Sequence, residues 1–173
     1  MMSEYKEIKP CELNGNPFQM IGKDWMLVTA KKGEDINTMT ASWGGMGVMW
    51  GKDVAVTVLR PQRYTKEFID ETGRFSLSFY DESYKKDMAY VGRVSGREEA
   101  DKISKTSFTP AEIDGVPYFE EAHTVLVCKT LFSQEMKPEG FTEDSKYLDA
   151  EKYPDKDYHT MYVAEIEKVY VRK

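Results

Sequence analysis

Two short stretches hold the residue types best suited to chemistry. Asn37 to Trp43, NTMTASW, sets an amide, small hydroxyls and a tryptophan on an extended pattern, then opens into the glycine-rich GGMGVMW. Leu59 to Thr65, LRPQRYT, sets Arg60, Arg63, Tyr64 and Thr65 just ahead of a helical pattern. A strand projects alternate side chains to opposite faces, so Asn37, Met39, Ala41 and Trp43 share one side and Thr38, Thr40 and Ser42 the other. Three small hydroxyls on one face suit a ligand edge, and backbone amides there can reach ring carbonyls and nitrogens; a solvated Thr/Ser face has the same pattern. An arginine fork beside the free amides of a helix N-terminus (Thr65 to Glu67) makes an anion site; two surface arginines balancing carboxylates look the same. The two stretches lie close together, each at the end of a strand. That combination points to a ligand with a flat ring at one end and a phosphate at the other. Trp43, Met46, Met49 and Trp50 would wall such a ring, or else form core or a dimer contact.

His159 heads the last strand-like segment, after the acidic KYPDKDY. It would donate to a ligand or act near a reacting centre, or serve structure alone. His123, beside Glu120 and Glu121, reads as a solvated or capping histidine. No Ser-His-Asp or Cys-His spacing, metal-ligand cluster, GxGxxG after a strand or P-loop is present. The expectation is therefore no metal and no Rossmann or ATP site.

The elements that must position these groups read mostly as β. Strands are expected at Trp25–Ala30, Ile36–Trp43, Val54–Leu59, Phe75–Phe79, His123–Phe132 and Tyr158–Val171. KGED makes a hairpin-like connection, and Gly44, Gly45, Gly47 and Gly51 read as a flexible loop. Thr65 is expected to cap a helix over Lys66–Thr72, with Gly73 past its end. Ser83 is expected to cap a helix through Val91. Ser95 and Glu98 form a capping box opening a helix over Arg97–Lys105. Ile113–Pro117 is a turn, and Lys137–Asp157 reads as a loop or short helix over one end of the fold. Six or seven strands with helices in the middle argue for a single-domain β-barrel with inserted helices, and against a doubly wound parallel sheet.

Length and composition agree. The 173 residues carry 40% hydrophobic and 31% charged side chains, enough for one domain with a real core. A net charge of −6 repels a phosphate backbone, so no nucleic-acid partner is expected and any phosphate site must be a local basic pocket. No apolar run approaches the roughly 20 residues needed to span a bilayer, so no membrane partner is expected. MMSEYKEIKP has no apolar core and does not read as a secretory signal. Two cysteines, Cys11 and Cys128, make no disulfide framework, which fits a cytoplasmic location.

In order, W-x-L-V-T-A, N-T-M-T-A-S-W, R-P-x-R-Y-T, F-S-L-S-F, G-R-x-S-G-R and a late histidine before the final strand resemble the flavin reductase-like FMN-binding split-barrel family. The resemblance covers roughly Trp25 to Val171. It implies a homodimer with FMN held non-covalently near the subunit interface. It implies that Asn37 to Trp43 line the isoalloxazine, that Arg60, Arg63, Tyr64 and Thr65 hold the phosphate and ribityl chain, and that Ser95 and Lys102 approach the cofactor. His159 would face the reactive side of the flavin. The implied activity is NAD(P)H-dependent electron transfer through FMN to a small-molecule or protein acceptor. The alternatives are a flavoredoxin-like electron carrier without direct NAD(P)H activity, and a β-barrel interaction module without cofactor. In this family the stretch matching Lys137–Asp157 varies and shapes substrate access.

Overall fold

A computed structural model describes residues 4–173. Residues 1–3, at the head of MMSEYKEIKP, lie outside the described residues.

The described residues form ten strands: β1 (Tyr5–Ile8), β2 (Met26–Lys32), β3 (Asp35–Ala41), β4 (Gly44–Met49), β5 (Lys52–Leu59), β6 (Arg74–Phe79), β7 (Pro110–Ile113), β8 (Val116–Phe119), β9 (Thr124–Glu135) and β10 (Thr160–Arg172). The helices are α1 (Pro17–Gln19), α2 (Tyr64–Thr72), α3 (Lys85–Arg93) and α4 (Lys146–Lys152), with several 3-10 turns. Eight strands form one antiparallel sheet in the order β3-β2-β6-β9-β10-β5-β4, with β1 added alongside β10. The sheet curls so that β3 approaches β5. Strand β10 pairs with β5 through its first half and with β1 through its last four residues. Register shifts against β9 at Val163/Ala164 and Ile166/Lys168 mark bulges that bend β10 between the two partners.

Period-2 alternation fills the barrel. Met26, Val28 and Ala30 of β2, Phe75, Leu77 and Phe79 of β6, and Leu126 and Cys128 of β9 share one core. Leu27, Val125 and Val127 face the other way, under the β7–β8 hairpin, with Tyr118, Phe119, Met88 and Val91. Both faces of β9 are thus covered along its first half, which is why TVLVC is a continuous apolar run. Among the described residues no helix is long and apolar enough to cross a membrane.

The barrel with inserted helices is as expected, but several local readings change. The glycine-rich stretch is not a loop. Gly44–Met49 pairs with β5 as strand β4, and Trp50 and Gly51, with φ of 54° and 70°, close a two-residue turn. Gly44 is required there: a Cβ would fall 2.2 Å from the Val56 carbonyl oxygen. Helix α2 starts two residues early, with Arg63 at its N-cap and Thr65 inside the first turn. Gly73 ends it in a left-handed conformation, its N–H donating to the Ile69 carbonyl at 2.8 Å. Ser83 lies within a 3-10 turn ahead of α3 and does not cap it. Arg97–Lys105 is not a helix: Ser95 closes a turn, accepting from Arg97 N–H on its hydroxyl at 3.2 Å, and only Lys102–Lys105 winds, as 3-10. The Ile113–Pro117 turn holds, but it joins two further strands, β7 and β8.

Candidate functional site

Strand β3 ends the sheet order, so the backbone along one of its sides has no ladder partner among the described residues. Two cavities lie along it. The larger, about 380 Å³, runs between β3, the start of α2 and the turn after α3; Asn37, Thr38, Met39, Arg63, Tyr64, Thr65, Ser95 and Lys102 line it. The smaller, about 170 Å³, is lined by Met39, Thr40, Ala41, Ser42, Trp43, Val58, Arg60, Arg63 and His159. The residues expected to touch a ligand from NTMTASW and RPQRYT, with Ser95, Lys102 and His159, all lie on one or both, and Met39 and Arg63 belong to both; Met46, Met49 and Trp50, expected as walls of the ring, line neither.

The hydroxyl face of β3 is largely spent inside the protein. Thr38 shares a 2.9 Å hydrogen bond with Thr29 and donates to the Val28 carbonyl, while Thr40 donates to the Met88 carbonyl in the middle of α3. It is therefore neither a solvated face nor a row of free donors; a ligand edge would meet the backbone instead. On the other face Asn37 is buried and donates to the Thr65 hydroxyl at 2.7 Å, tying β3 to α2. Gly96 backs onto Asn37 so closely that a Cβ would fall 2.1 Å from its Oδ1. Glycine thus lets the 94–97 turn fold down to wall the larger cavity.

The two arginines differ. Arg60 is committed: its guanidinium pairs with Asp157, donates to the Lys152 carbonyl at 2.8 Å and sits 5.1 Å from the Tyr153 ring centroid. Arg63 lies half-buried at the junction of the cavities. It donates to the Gly92 carbonyl and, among the described residues, no carboxylate lies within ion-pair distance. Burial and the charge of Arg60 both press its pKa down. Nearby, Lys102 is 2% exposed, and its ammonium donates to the carbonyls of Thr38 (2.7 Å), Val91 (2.9 Å) and Val94 (2.8 Å). Burial, then repulsion from Arg63, lowers its pKa to about 8, while the three carbonyls favour the charged form. A partly desolvated, uncountered cation beside a second one is the environment an anion would relieve.

His159 is buried against the Trp43 ring, centroids 5.1 Å apart, and its Nδ1 is 2.8 Å from the Tyr153 hydroxyl. Burial first, then Arg60, lowers its pKa to about 4, so the ring is neutral near pH 7. The folded value lies below the ordinary one near 6.5, so the unfolded chain binds the extra proton between the two. Stability from this group is full above pH 6.5 and lost as pH falls to about 4. In urea titrations the drop in unfolding free energy from pH 7 to 4 is expected to be roughly 3 kcal/mol smaller for His159→Gln than for the parent chain. Equal drops would mean that His159 is not held neutral.

Sequence reasoning did not find Arg93, Gly96, Arg97 or Tyr153. Arg97 stacks 5.0 Å from the Tyr64 ring centroid and pairs with Glu67, so it covers the larger cavity's rim. The glycines and arginines of GRVSGR were a visible signal for that wall. Tyr153 had none, because only the return of 137–157 onto the barrel brings it to His159.

The chain matches the model of a family described as "Flavin reductase like domain" over residues 19–173. A search of curated protein sequences found no match. Among solved structures it is similar to an FMN-binding domain of a flavin reductases-like enzyme from Shewanella baltica, at TM-score 0.70 and 18% identity over 97% of this chain and 77% of that one. It is similar to a flavoredoxin from Methanosarcina acetivorans, at TM-score 0.66 and 22% identity over 96% and 77%. It also resembles the styrene monooxygenase flavin reductase of Pseudomonas putida, at TM-score 0.61 and 17% identity over 84% and 77%. At these identities the likeness to the solved structures is one of fold.

Proposed function

Since the chain belongs to the flavin reductase-like, FMN-binding split-barrel family, we propose that it binds FMN along β3 and works as an NAD(P)H-dependent oxidoreductase. The observation that carries this is Arg63: a half-buried cation without a carboxylate partner among the described residues, where the two cavities along the edge of β3 meet. Arg63 and the first turn of α2 would hold the phosphate. The backbone edge of β3 would orient the ring, with Trp43 and His159 as a wall. The chemistry bound FMN supplies is acceptance of a hydride from NAD(P)H and release of its two electrons to a free flavin, a metal complex, a quinone or a protein. Arg60, tied to Asp157, would act on the ring end by holding segment 137–157 against the smaller cavity.

A second reading, an electron carrier reduced by another protein, is favoured by an exposed apolar rim that runs from Trp43, at the smaller cavity, along β4 to the turn after it. Trp43, Val48 and Trp50 are 44%, 73% and 61% exposed, with Phe132 against Trp50. The likeness to a flavoredoxin agrees with it. We assign the same rim to a second copy of the chain, since an exposed edge strand flanked by aromatics suits self-pairing.

The test is the visible absorption spectrum of the purified protein with FMN, before and after anaerobic NADH and NADPH. Bound flavin that bleaches with either nucleotide is the expected result. Bound flavin that stays oxidised turns the conclusion to the electron carrier, and absence of flavin binding overturns both readings. Light scattering on the same sample is expected to give twice the chain mass; a monomer would refute the second copy.

A further inference from the structure

Segment 137–157 reaches the smaller cavity through Tyr153. Its hydroxyl lies 2.8 Å from His159 Nδ1 and 3.6 Å from Met136 Sδ. The ring is held by its surroundings: Tyr158 stacks on it at 4.8 Å, and the Arg60 guanidinium sits 5.1 Å from its centroid. Tyr158 is anchored in turn by a 2.7 Å hydrogen bond from its hydroxyl to Asp149 of α4. Burial raises the pKa of Tyr153, so its hydroxyl keeps its one proton. An imidazole nitrogen is a far better acceptor than a thioether, so that proton goes to Nδ1. Among the described residues Nε2 has no protein partner, yet it is not sealed off, and His159 lines the cavity. The charged groups around the ring are Arg60, Arg63 and Asp157, and Asp157 is taken by Arg60 and Gln62.

We propose that Tyr153 is a positioning residue that fixes His159 as the Nε2–H tautomer, so that the smaller cavity offers one neutral N–H donor to a carbonyl oxygen on a planar heteroaromatic ligand. The ligand half of this rests on the function proposed above; the positioning half does not. A neutral donor beside Trp43 suits an uncharged acceptor, and a carbonyl of a flavin ring and the carboxamide of a nicotinamide both qualify. The two sources separate by experiment.

Nitrogen-15 NMR of the imidazole in the flavin-free protein is expected to show bare Nδ1 and protonated Nε2. Protonated Nδ1 would overturn the proposal, and this measurement needs no variant. Tyr153→Phe removes only the hydroxyl, and is expected to move the Nδ1 resonance while leaving the melting temperature within a few degrees. An unchanged imidazole spectrum in a folded Tyr153→Phe would overturn the positioning role. With FMN and NADH as probes, an FMN Kd about fivefold higher in the variant assigns the acceptor to the flavin; an unchanged Kd with an NADH KM about fivefold higher assigns it to the nicotinamide. Neither change would overturn the ligand assignment. Should the protein bind no flavin, the proposed function fails while the NMR still decides the role of Tyr153.

Discussion

Arg63→Ala is expected to weaken FMN binding about 100-fold, roughly 2.7 kcal/mol, the cost of losing a charge-assisted contact in a partly desolvated site. The effect should be large because no carboxylate among the described residues neutralises Arg63, and it faces Arg60 and Lys102 charges that an anion would offset. Removing it also removes that repulsion, which offsets the hydrogen bond lost at the Gly92 carbonyl, so the free protein should stay within about 1 kcal/mol of its parent. The phosphate-free ligand riboflavin separates charge from shape: its affinity should barely change. Arg60→Ala is the contrast, because that side chain is already occupied by Asp157 and the Lys152 carbonyl. A smaller loss of FMN affinity is expected for it, shared by riboflavin. Fluorescence titration of each variant with both ligands decides this; equal FMN loss in the two arginine variants would refute Arg63 as the phosphate residue.

Lys102→Met should cost about 2–4 kcal/mol of stability and also loosen FMN binding. Methionine replaces the stem of the lysine but leaves the carbonyls of Thr38, Val91 and Val94 without their donor. Each buried acceptor left unpaired costs about 1–3 kcal/mol, partly offset because an ammonium no longer has to be desolvated. Those carbonyls belong to β3 and to the end of α3, the two walls that Lys102 holds together. Urea unfolding measures the first effect and FMN titration the second. A variant of parental stability would show that water from the adjoining cavity replaces the ammonium.

Much of this was visible in the residues. The alternation of RFSLSF, the apolar WMLVTA and the glycine at position 73 set strands and a helix end by local rules, and the structure agrees. What was not legible depends on partners distant in sequence. Gly44–Met49 looks like a loop because glycine is a poor strand former; pairing with β5 overrides that. Ser95 and Glu98 fit a capping box, yet Lys102 is drawn into the gap between β3 and α3 and the chain there wraps the cavity. The Thr/Ser face of β3 looks ligand-facing or solvated from the sequence; α3 and β2 take Thr40 and Thr38 instead. In the same way, Arg60 and Arg63 look equivalent in RPQRYT, and only the folding back of Asp157 divides their roles.

Segment 137–157 hangs between two strands that are already clasped where it leaves and returns: Thr160 is registered opposite Glu135, and Met136 N–H donates to the His159 carbonyl at 2.8 Å. Its ends are therefore fixed by the barrel, not by its own contents. Closing a longer loop on such a clasp costs only about 0.6 kcal/mol for each doubling of length. The stretch that supplies Tyr153 and Asp157 to the site can thus be lengthened, shortened or exchanged with little penalty to the scaffold. Evolution and protein engineers alike inherit a replaceable cassette beside the smaller cavity, in which the lining of that cavity can diverge while the barrel and the Arg63 site stay as they are.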